Sequence, residues 1–227
     1  MLDSSILSGL QAAGAGRTIL LAAAVALAAY LLGCFNGAVI VSKYILRNDV
    51  RNHGSGNAGL TNFYRVFGGP LTFLVILTDM LKAVFAVLFG AWVSSALLGS
   101  GAPVGQYFAG LFCMLGHMFP AMFHFKGGKG VLSGGTIALM IDWRVALVVW
   151  GGFLLLTVLT RYVSLGSVYA GSSFPFATWF VFHSVILTVL AAGCGILLDW
   201  KHRANIRRLC TGTESKFSFH RKSEEKK

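Results

Sequence analysis

The chain has 227 residues, of which 56% are hydrophobic and only 12% are charged, and its mean hydropathy is +0.71. This composition excludes an ordinary soluble domain, whose surface must face water. A formal net charge of +11 would favour a nucleic-acid partner in a soluble protein. Here the Lys and Arg residues lie between apolar runs and in the tail, as in the cytoplasmic loops of membrane proteins. We therefore expect an all-α, polytopic membrane protein that does not bind nucleic acid.

Apolar stretches that approach or exceed the ~20 residues of a spanning helix occupy, in chain order, residues 19–45, 71–98, 104–123, 145–159 and 176–198. The first stretch is too long for the apolar core of a cleaved signal peptide, so it should remain in the mature protein. If every basic segment lies on the cytoplasmic side, seven crossings are needed, with the N-terminus outside and the C-terminus inside.

Two of the seven predicted crossings, residues 130–141 and 163–174, are short. About 12 residues make only about 18 Å of helix against a bilayer core of about 30 Å, so we expect half-helices, with a bend at residues 172–175. Both positive N-terminal ends would face one cytoplasmic vestibule, which suits an anion. Residues 1–219 are predicted to form a single domain, and residues 220–227 a disordered basic cytoplasmic tail.

The first polar island between the apolar stretches is GSGNAGLTN, residues 54–62, which is followed by Arg65. Its glycines allow backbone amides to turn toward an oxyanion, and the guanidinium would add bidentate contacts to phosphate. A flexible, solvated connector has the same composition, so both interpretations stay open.

The second polar island is FKGGKG, residues 125–130, which puts two ammonium groups on a glycine-rich turn at the start of a short helix. This arrangement is typical of a phosphate site. It is not a nucleotide-binding P-loop, because Phe123 stands where the first glycine is required and Gly130 where Ser or Thr would hold magnesium. The alternative is a basic anchor at the membrane surface. Upstream, His117 is more often a packed core residue than a base.

The third and fourth islands are TRYVS, residues 160–164, and WKHRANIRR, residues 200–208. Ser164 opens the second short helix, either as a cap or as a ligand donor. His202 and Asn205 are three positions apart and share a helix face, which membrane binding does not explain. The arginines of the fourth island fit attraction to anionic headgroups.

Charged and reactive residues elsewhere give little support to covalent or metal catalysis. Asp79 and Lys82 lie within a long apolar run, where a charge is costly, so we expect them to pair or to face a polar cavity. No disulfide or zinc site is expected from the widely spaced Cys34, Cys113, Cys194 and Cys210. The sequence also lacks a G-x-S-x-G elbow, an H-x-x-x-x-D box and an H-E-x-x-H motif.

With the four islands in this order, the sequence resembles the bacterial acyl-phosphate:glycerol-3-phosphate acyltransferases, the PlsY family. The resemblance is carried by GSGNAGLTN with Arg65, GHMFPAMFHFKGGKG, TRYVSL and HRANIRRLCTGTESKF, spread over residues 26–218. It implies a seven-helix fold with the N-terminus outside and the C-terminus inside. This agrees with the seven crossings inferred above from the positions of the basic segments. The chain departs from residues usual in the family at Cys34, Asn36, Ala58 and Leu60.

The resemblance also implies roles for individual residues. The implied catalytic residues are Ser55, Arg65, Lys129 and His202. The implied substrate-binding residues are Gly54, Gly56, Asn57, Thr61, Asn62, Lys126, Gly127, Gly128, Arg161, Ser164 and Asn205. Neither a metal nor another cofactor is implied.

The implied reaction transfers a fatty acyl group from acyl-phosphate to the 1-hydroxyl of glycerol-3-phosphate. Its product is lysophosphatidic acid. The reaction is the first step of phospholipid synthesis and takes place at the cytoplasmic face of the bacterial inner membrane. An acyl-carrier-protein:phosphate acyltransferase would supply the donor. Because an acyl-phosphate is a mixed anhydride with a good leaving group, positioning and charge stabilisation would suffice without an acyl-enzyme.

Two other functions stay open. A transporter of a phosphorylated metabolite would also use half-helices and a basic vestibule, although all four islands fall on one side of the membrane. A membrane scaffold that binds anionic lipid would explain the basic tail but would leave the glycine-rich islands without a role.

Overall fold

The computed structural model describes residues 2–217, which form helices and loops without a β-strand in that range. The helices are α1 (Leu2–Ala13), α2 (Ala15–Cys34), α3 (Gly37–Ile40), α4 (Leu60–Val66), α5 (Leu71–Trp92), α6 (Ala102–Met118), α7 (Val131–Ile141), α8 (Trp143–Thr160), α9 (Val163–Phe182), α10 (Val185–Lys201) and α11 (Arg203–Cys210). π-Helical turns extend α3 through Val41–Ile45 and α5 through Val93–Leu97. The expected all-α fold is confirmed, and the predicted tail, residues 220–227, lies outside the described residues.

Several helices have the length and apolarity of membrane spans. Within residues 2–217, three segments meet both conditions: Ala15–Ile45 with 31 residues, Leu71–Leu97 with 27 and Trp143–Thr160 with 18. A fourth qualifies if α10 and α11, which meet at a bend of 61°, are taken together. Seven crossings, with the N-terminus outside and the C-terminus inside, stay a prediction.

Helix α6 lies at the centre and packs against α2, α5, α7 and α10. Glycines permit its closest contacts. A Cβ on Gly33 of α2 or on Gly116 of α6 would overlap the backbone of the other helix, and Gly90 of α5 and Gly105 of α6 are related in the same way. Small residues at helix crossings are the usual route to close packing in a membrane, because lipid gives no hydrophobic drive for helices to associate.

The two predicted half-helices have different outcomes. Helix α7 is short, with 11 residues, as predicted. Helix α9 is not short, because it continues through Pro175 to a length of 20 residues and is not interrupted at residues 172–175. Proline removes one intrahelical hydrogen bond, to the carbonyl of Gly171, and this carbonyl lies directly against Gly195 of α10. Close packing by a neighbouring helix makes such a proline tolerable.

The apolar stretch predicted at residues 176–198 is interrupted by a turn at His183 and Ser184, which separates α9 from α10. His183 adopts a left-handed conformation with φ 46°, and Ser184 Oγ accepts a hydrogen bond from Leu187 N at 3.2 Å as the cap of α10. The Asp3 carboxylate accepts from Ser184 Oγ and, at 2.8 Å, from Val185 N. A capping carboxylate about 180 positions away in the chain leaves no local signal, which explains why the stretch reads as continuous.

Candidate active site

A cavity of about 260 Å³ lies where the N-terminal ends of α7 and α9 meet the α10–α11 junction and α4. Its polar lining consists of Ser55, Asn57, Thr61, Asn62, Arg65, Asp79, His117, Lys129, Ser164, Ser167, His202, Asn205, Arg208 and Glu214. Its apolar lining includes Leu60, Val131, Leu132, Trp150, Phe153, Val163 and Phe217. Each of the four polar islands contributes side chains, so residues more than 100 positions apart form one site.

Six of the residues with an implied role do not line this cavity: Gly54, Gly56, Lys126, Gly127, Gly128 and Arg161. Lys126 and Arg161 have exposed side chains. Gly54 and Gly56 have φ values of 59° and 69°, so they shape the first loop through backbone conformations that other residues rarely adopt.

Asn62 holds the first loop together. Its Oδ1 accepts from Ser55 N at 2.9 Å, and its Nδ2 donates to the carbonyls of Val50, His53 and Asn57 at 3.0–3.2 Å. The side chain is buried and its hydrogen-bonding capacity is used within the loop. Asn62 therefore positions Ser55 and Asn57 at the cavity, and the direct substrate contact implied for it stays a prediction.

The GGKG turn is packed against the end of α6. Gly128 N donates to His117 O at 3.1 Å, and a Cβ on Gly127 would overlap that same carbonyl. The Gly128 amide is thus already paired and does not form the anion cradle predicted from the sequence. The two glycines instead allow the turn to lie against α6, which directs Lys129 into the cavity.

A chain of hydrogen bonds joins the second island to the third and fourth. Lys129 Nζ donates to Asn205 Oδ1 at 2.5 Å, and Asn205 Nδ2 donates to Glu214 Oε1 at 2.7 Å. The same oxygen accepts from Ser164 Oγ at 2.7 Å, while Arg208 Nε donates to Glu214 Oε2 at 2.6 Å. The structure therefore brings Lys129, Ser164 and Asn205 together around one carboxylate.

Glu214 and Arg208 were not identified from the sequence as site residues. Both lie within the stretch HRANIRRLCTGTESKF, where Glu214 is the single acidic residue among several cations. That contrast is the signal that could have singled it out. The segment after α11 is held over the cavity because Phe217 N donates to Arg161 O at 2.8 Å and the Phe217 ring contacts Tyr64.

Burial sets the protonation of the two central bases. It lowers the pKa of Lys129 to about 8, and the nearby Glu214 carboxylate only partly offsets this effect. Burial and the charge of Lys129 lower the pKa of His202 to about 4. For Glu214, burial raises the pKa, but hydrogen bonds from Asn205, Ser164 and Arg208 outweigh it and leave the pKa below its usual value. At neutral pH the site thus holds an ammonium, a neutral imidazole and a carboxylate.

The tautomer of His202 follows from its backbone contact. His202 Nδ1 lies 2.8 Å from Leu198 O, and a carbonyl can only accept, so Nδ1 carries the proton. The other nitrogen, Nε2, consequently has a free lone pair. Neutral His202 can accept a hydrogen bond from a hydroxyl group in the cavity.

A cluster of three hydrogen-bonded side chains, Asp79, Lys82 and His117, lies beside the cavity. Asp79 Oδ1 and Lys82 Nζ are 2.7 Å apart, and Lys82 Nζ is also 2.7 Å from His117 Nδ1. All three side chains are buried, and Asp79 and His117 line the cavity. The expectation that Asp79 and Lys82 pair or face a polar cavity is confirmed.

Arg51 connects the first two islands. It forms an ion pair with Asp49 at 2.6 Å, and its Nη1 donates to the carbonyls of Phe123 at 2.9 Å and Lys126 at 3.5 Å. The guanidinium also lies over the Phe123 ring. This contact, which the sequence did not reveal, fixes the loop that carries Ser55 relative to the turn that carries Lys129.

Known proteins with similar sequences and structures share one activity. The family model described as glycerol-3-phosphate acyltransferase matches residues 23–212. The glycerol-3-phosphate acyltransferase of Thermoanaerobacter pseudethanolicus is 37% identical over 191 residues, which cover 84% of this chain and 93% of that protein. The glycerol-3-phosphate acyltransferase of Trichlorobacter lovleyi is 41% identical over 192 residues, which cover 83% of this chain and 94% of that protein.

Two solved structures have the same fold. The crystal structure of PlsY, an integral membrane glycerol 3-phosphate acyltransferase, in its glycerol 3-phosphate form matches with a TM-score of 0.77 and 35% identity. The match covers 87% of this chain and 96% of that one. The lysophosphatidic acid form matches with a TM-score of 0.74 and 34% identity. This chain therefore belongs to the glycerol-3-phosphate acyltransferase family and is a multi-pass membrane protein.

Proposed function

We propose that this chain transfers a fatty acyl group from acyl-phosphate to the 1-hydroxyl of sn-glycerol-3-phosphate and releases lysophosphatidic acid and inorganic phosphate. The observation that carries the proposal is one cavity that combines Arg65, Lys129 and Arg208 with an apolar wall of Trp150 and Phe153. Cations suit two phosphate-bearing substrates, and the apolar wall suits the start of an acyl chain. The glycerol 3-phosphate and lysophosphatidic acid forms of the related PlsY support the proposed acceptor and product.

The acceptor is assigned to the side of the cavity that contains Ser164, His202 and Asn205. Neutral His202 would accept a hydrogen bond from the 1-hydroxyl through Nε2 and orient it. Ser55, Asn57, Thr61 and Arg65, which also line the cavity, would bind phosphate, and Lys129 would neutralise charge between the two substrates.

In the proposed step the 1-hydroxyl oxygen attacks the acyl carbonyl carbon directly. A new ester bond forms, the bond from that carbon to the phosphate oxygen breaks, and the hydroxyl proton passes to the departing phosphate. No acyl-enzyme forms, so ping-pong kinetics or acyl label trapped on Ser55 or Ser164 would contradict the mechanism.

We place the protein in the bacterial inner membrane with the cavity facing the cytoplasm. Exposed basic side chains, including Lys43, Arg47, Lys126 and Arg203, lie within or shortly before the polar islands that line the cavity, as the positive-inside rule expects for cytoplasmic segments. The donor would come from a reaction that makes acyl-phosphate from acyl-carrier protein.

The function is tested with detergent-purified protein, labelled palmitoyl-phosphate and glycerol-3-phosphate, with palmitoyl-CoA as the rival donor. We expect lysophosphatidic acid only from palmitoyl-phosphate. Product from palmitoyl-CoA alone would overturn the donor assignment. Binding of glycerol-3-phosphate without product from either donor would favour a transporter.

The alkaline limb of the pH profile should report Lys129. Its pKa of about 8 means that the ammonium predominates below that pH and is lost as the pH rises through it. We expect kcat/KM to fall above about pH 8, well clear of the second phosphate pKa of about 6. Arginine stays charged, so Lys129→Arg should abolish this limb even if its overall rate is lower. A limb at the same pH in the arginine variant would disprove the assignment.

The Arg51 contact should matter for substrate binding. Arg51→Gln loses the ion pair with Asp49 and loosens the first loop from the GGKG turn, so we expect KM for both substrates to rise about threefold to tenfold, equivalent to about 1 kcal/mol. The effect on kcat should be smaller. Arg47→Gln is the matched control, because Arg47 is exposed in the same segment. Equal KM values for the two variants would show that Arg51 does not position the loops.

A further inference from the structure

His117 lies under the GGKG turn and its role is not explained by the proposed transfer. Its side chain is only 4% exposed, and its ring lines the cavity. A Cβ on Gly128 would overlap His117 Nε2, so this edge of the ring lies directly beneath the turn that leads into Lys129.

The contacts of Lys82 determine which ring nitrogen of His117 carries the proton. An ammonium has three N–H donors and no acceptor. The three neighbours of Lys82 Nζ are Asp79 Oδ1 at 2.7 Å, Phe35 O at 3.0 Å and His117 Nδ1 at 2.7 Å. His117 Nδ1 must therefore accept, and the proton of the neutral ring lies on Nε2.

The Nε2–H group of His117 makes no hydrogen bond within residues 2–217. The ring is almost completely buried but Nε2 is not fully enclosed, and a donor in such a position usually has a ligand or a water as its partner. His117 lines the same cavity as Lys129, and there a substrate oxygen is the natural acceptor. His202 has the opposite tautomer, with the proton on Nδ1.

We propose that His117 is a further substrate-contacting residue, whose Nε2–H donates a hydrogen bond to a phosphate oxygen of the acyl-phosphate bound beside Lys129. The inference rests on the proposed function for the identity of this ligand. The acceptor substrate is assigned to Ser164, His202 and Asn205, whereas the His117 ring lies against Gly128 of the GGKG turn, the residue before Lys129. Asp79 and Lys82 act through His117 as positioning residues.

Two substitutions separate this role from a purely structural one. In His117→Asn, the side-chain amide lies near the position of Nδ1, so it can still accept from Lys82, but the Nε2 donor is lost. In His117→Gln, the amide nitrogen reaches the Nε2 position, so the donor is kept while the acceptor for Lys82 is lost. If His117 serves only to satisfy Lys82, the Asn variant should be the milder one.

Binding is measured by calorimetry with hexadecyl phosphate, which has no transferable acyl group, and separately with glycerol-3-phosphate. We expect His117→Asn to weaken hexadecyl phosphate binding about tenfold or more, as for loss of a hydrogen bond to a charged group, and His117→Gln to stay within about threefold. Glycerol-3-phosphate binding should change little in either variant. His124→Asn is the control, because His124 is exposed on the same loop and asparagine tolerates its left-handed conformation.

The inference is overturned if His117→Asn binds hexadecyl phosphate like the wild type, if His117→Gln is as weak as His117→Asn, or if the loss is confined to glycerol-3-phosphate. A second measurement needs no variant. In ¹⁵N-histidine-labelled wild-type protein, the buried Nε2–H resonance should move on addition of hexadecyl phosphate but not of glycerol-3-phosphate, and an unmoved resonance would contradict the contact. A wild type that binds hexadecyl phosphate through His117 but fails to use palmitoyl-phosphate would refute the proposed function alone.

Discussion

Replacement of Lys129 by methionine is expected to lower kcat/KM for acyl transfer by about 10²–10³-fold, the usual cost of removing one group that stabilises charge in a transition state. Lys129 reaches the cavity between the first and fourth islands and is bonded to Asn205. Methionine keeps much of the buried volume but removes the ammonium. Steady-state transfer from palmitoyl-phosphate to glycerol-3-phosphate measures the effect.

Lys43→Met is the matched control, since Lys43 is exposed and lies outside the cavity, over the ring of Tyr44. Its rate should stay within about twofold of the wild type, because surface substitutions rarely change stability by more than about 0.5 kcal/mol. If Lys129→Met retains more than about a tenth of the wild-type kcat/KM, Lys129 does not stabilise the reacting phosphate in the way proposed.

Replacement of Glu214 should have the second-largest effect, and it should depend on the replacing side chain. Glu214→Ala leaves Ser164, Asn205 and Arg208 without their common partner, so we expect KM for glycerol-3-phosphate to rise about tenfold or more. Glu214→Gln keeps an oxygen that can accept from Ser164 and Asn205, but it loses the charge and puts an amide nitrogen, which cannot accept, opposite Arg208 Nε. Its KM should rise about threefold.

The thermal unfolding midpoint of each Glu214 variant distinguishes loss of binding from loss of the fold. Asp142→Asn is the control, because Asp142 caps α8 outside the cavity and asparagine is an equally good cap. Equal KM values for Glu214→Ala and Glu214→Gln would show that the carboxylate does not organise the acceptor side.

Several features of the site were predictable because each is local in the sequence. The glycine-rich turns beside cations, residues 54–62 and 125–130, identified two loops that contribute residues to the cavity. The short helix α7 followed from the length of its apolar run. Helical spacing also predicted that His202 and Asn205 share a face, and both line the cavity.

Other features depended on contacts between residues far apart in the chain. The helix boundary expected near Pro175 is absent, because close packing on Gly195 maintains α9. The boundary at Ser184 was missed, because the Asp3 carboxylate that caps α10 is distant in the chain. Lys126 and Lys129 look equivalent in the sequence. Only the packing of the intervening glycines against α6 directs Lys129 inward and leaves Lys126 exposed.

Composition, apolar periodicity and local turn chemistry by themselves determined that this protein is an all-α membrane protein with polar, glycine-rich loops between its apolar helices. These properties depend on neighbours within a few residues of one another. Only the tertiary structure decided that Glu214 holds Ser164, Asn205 and Arg208 together and that Lys82 orients His117. The physical reason is that burial and hydrogen-bond partners set the protonation and direction of a polar side chain, and both are supplied by other helices.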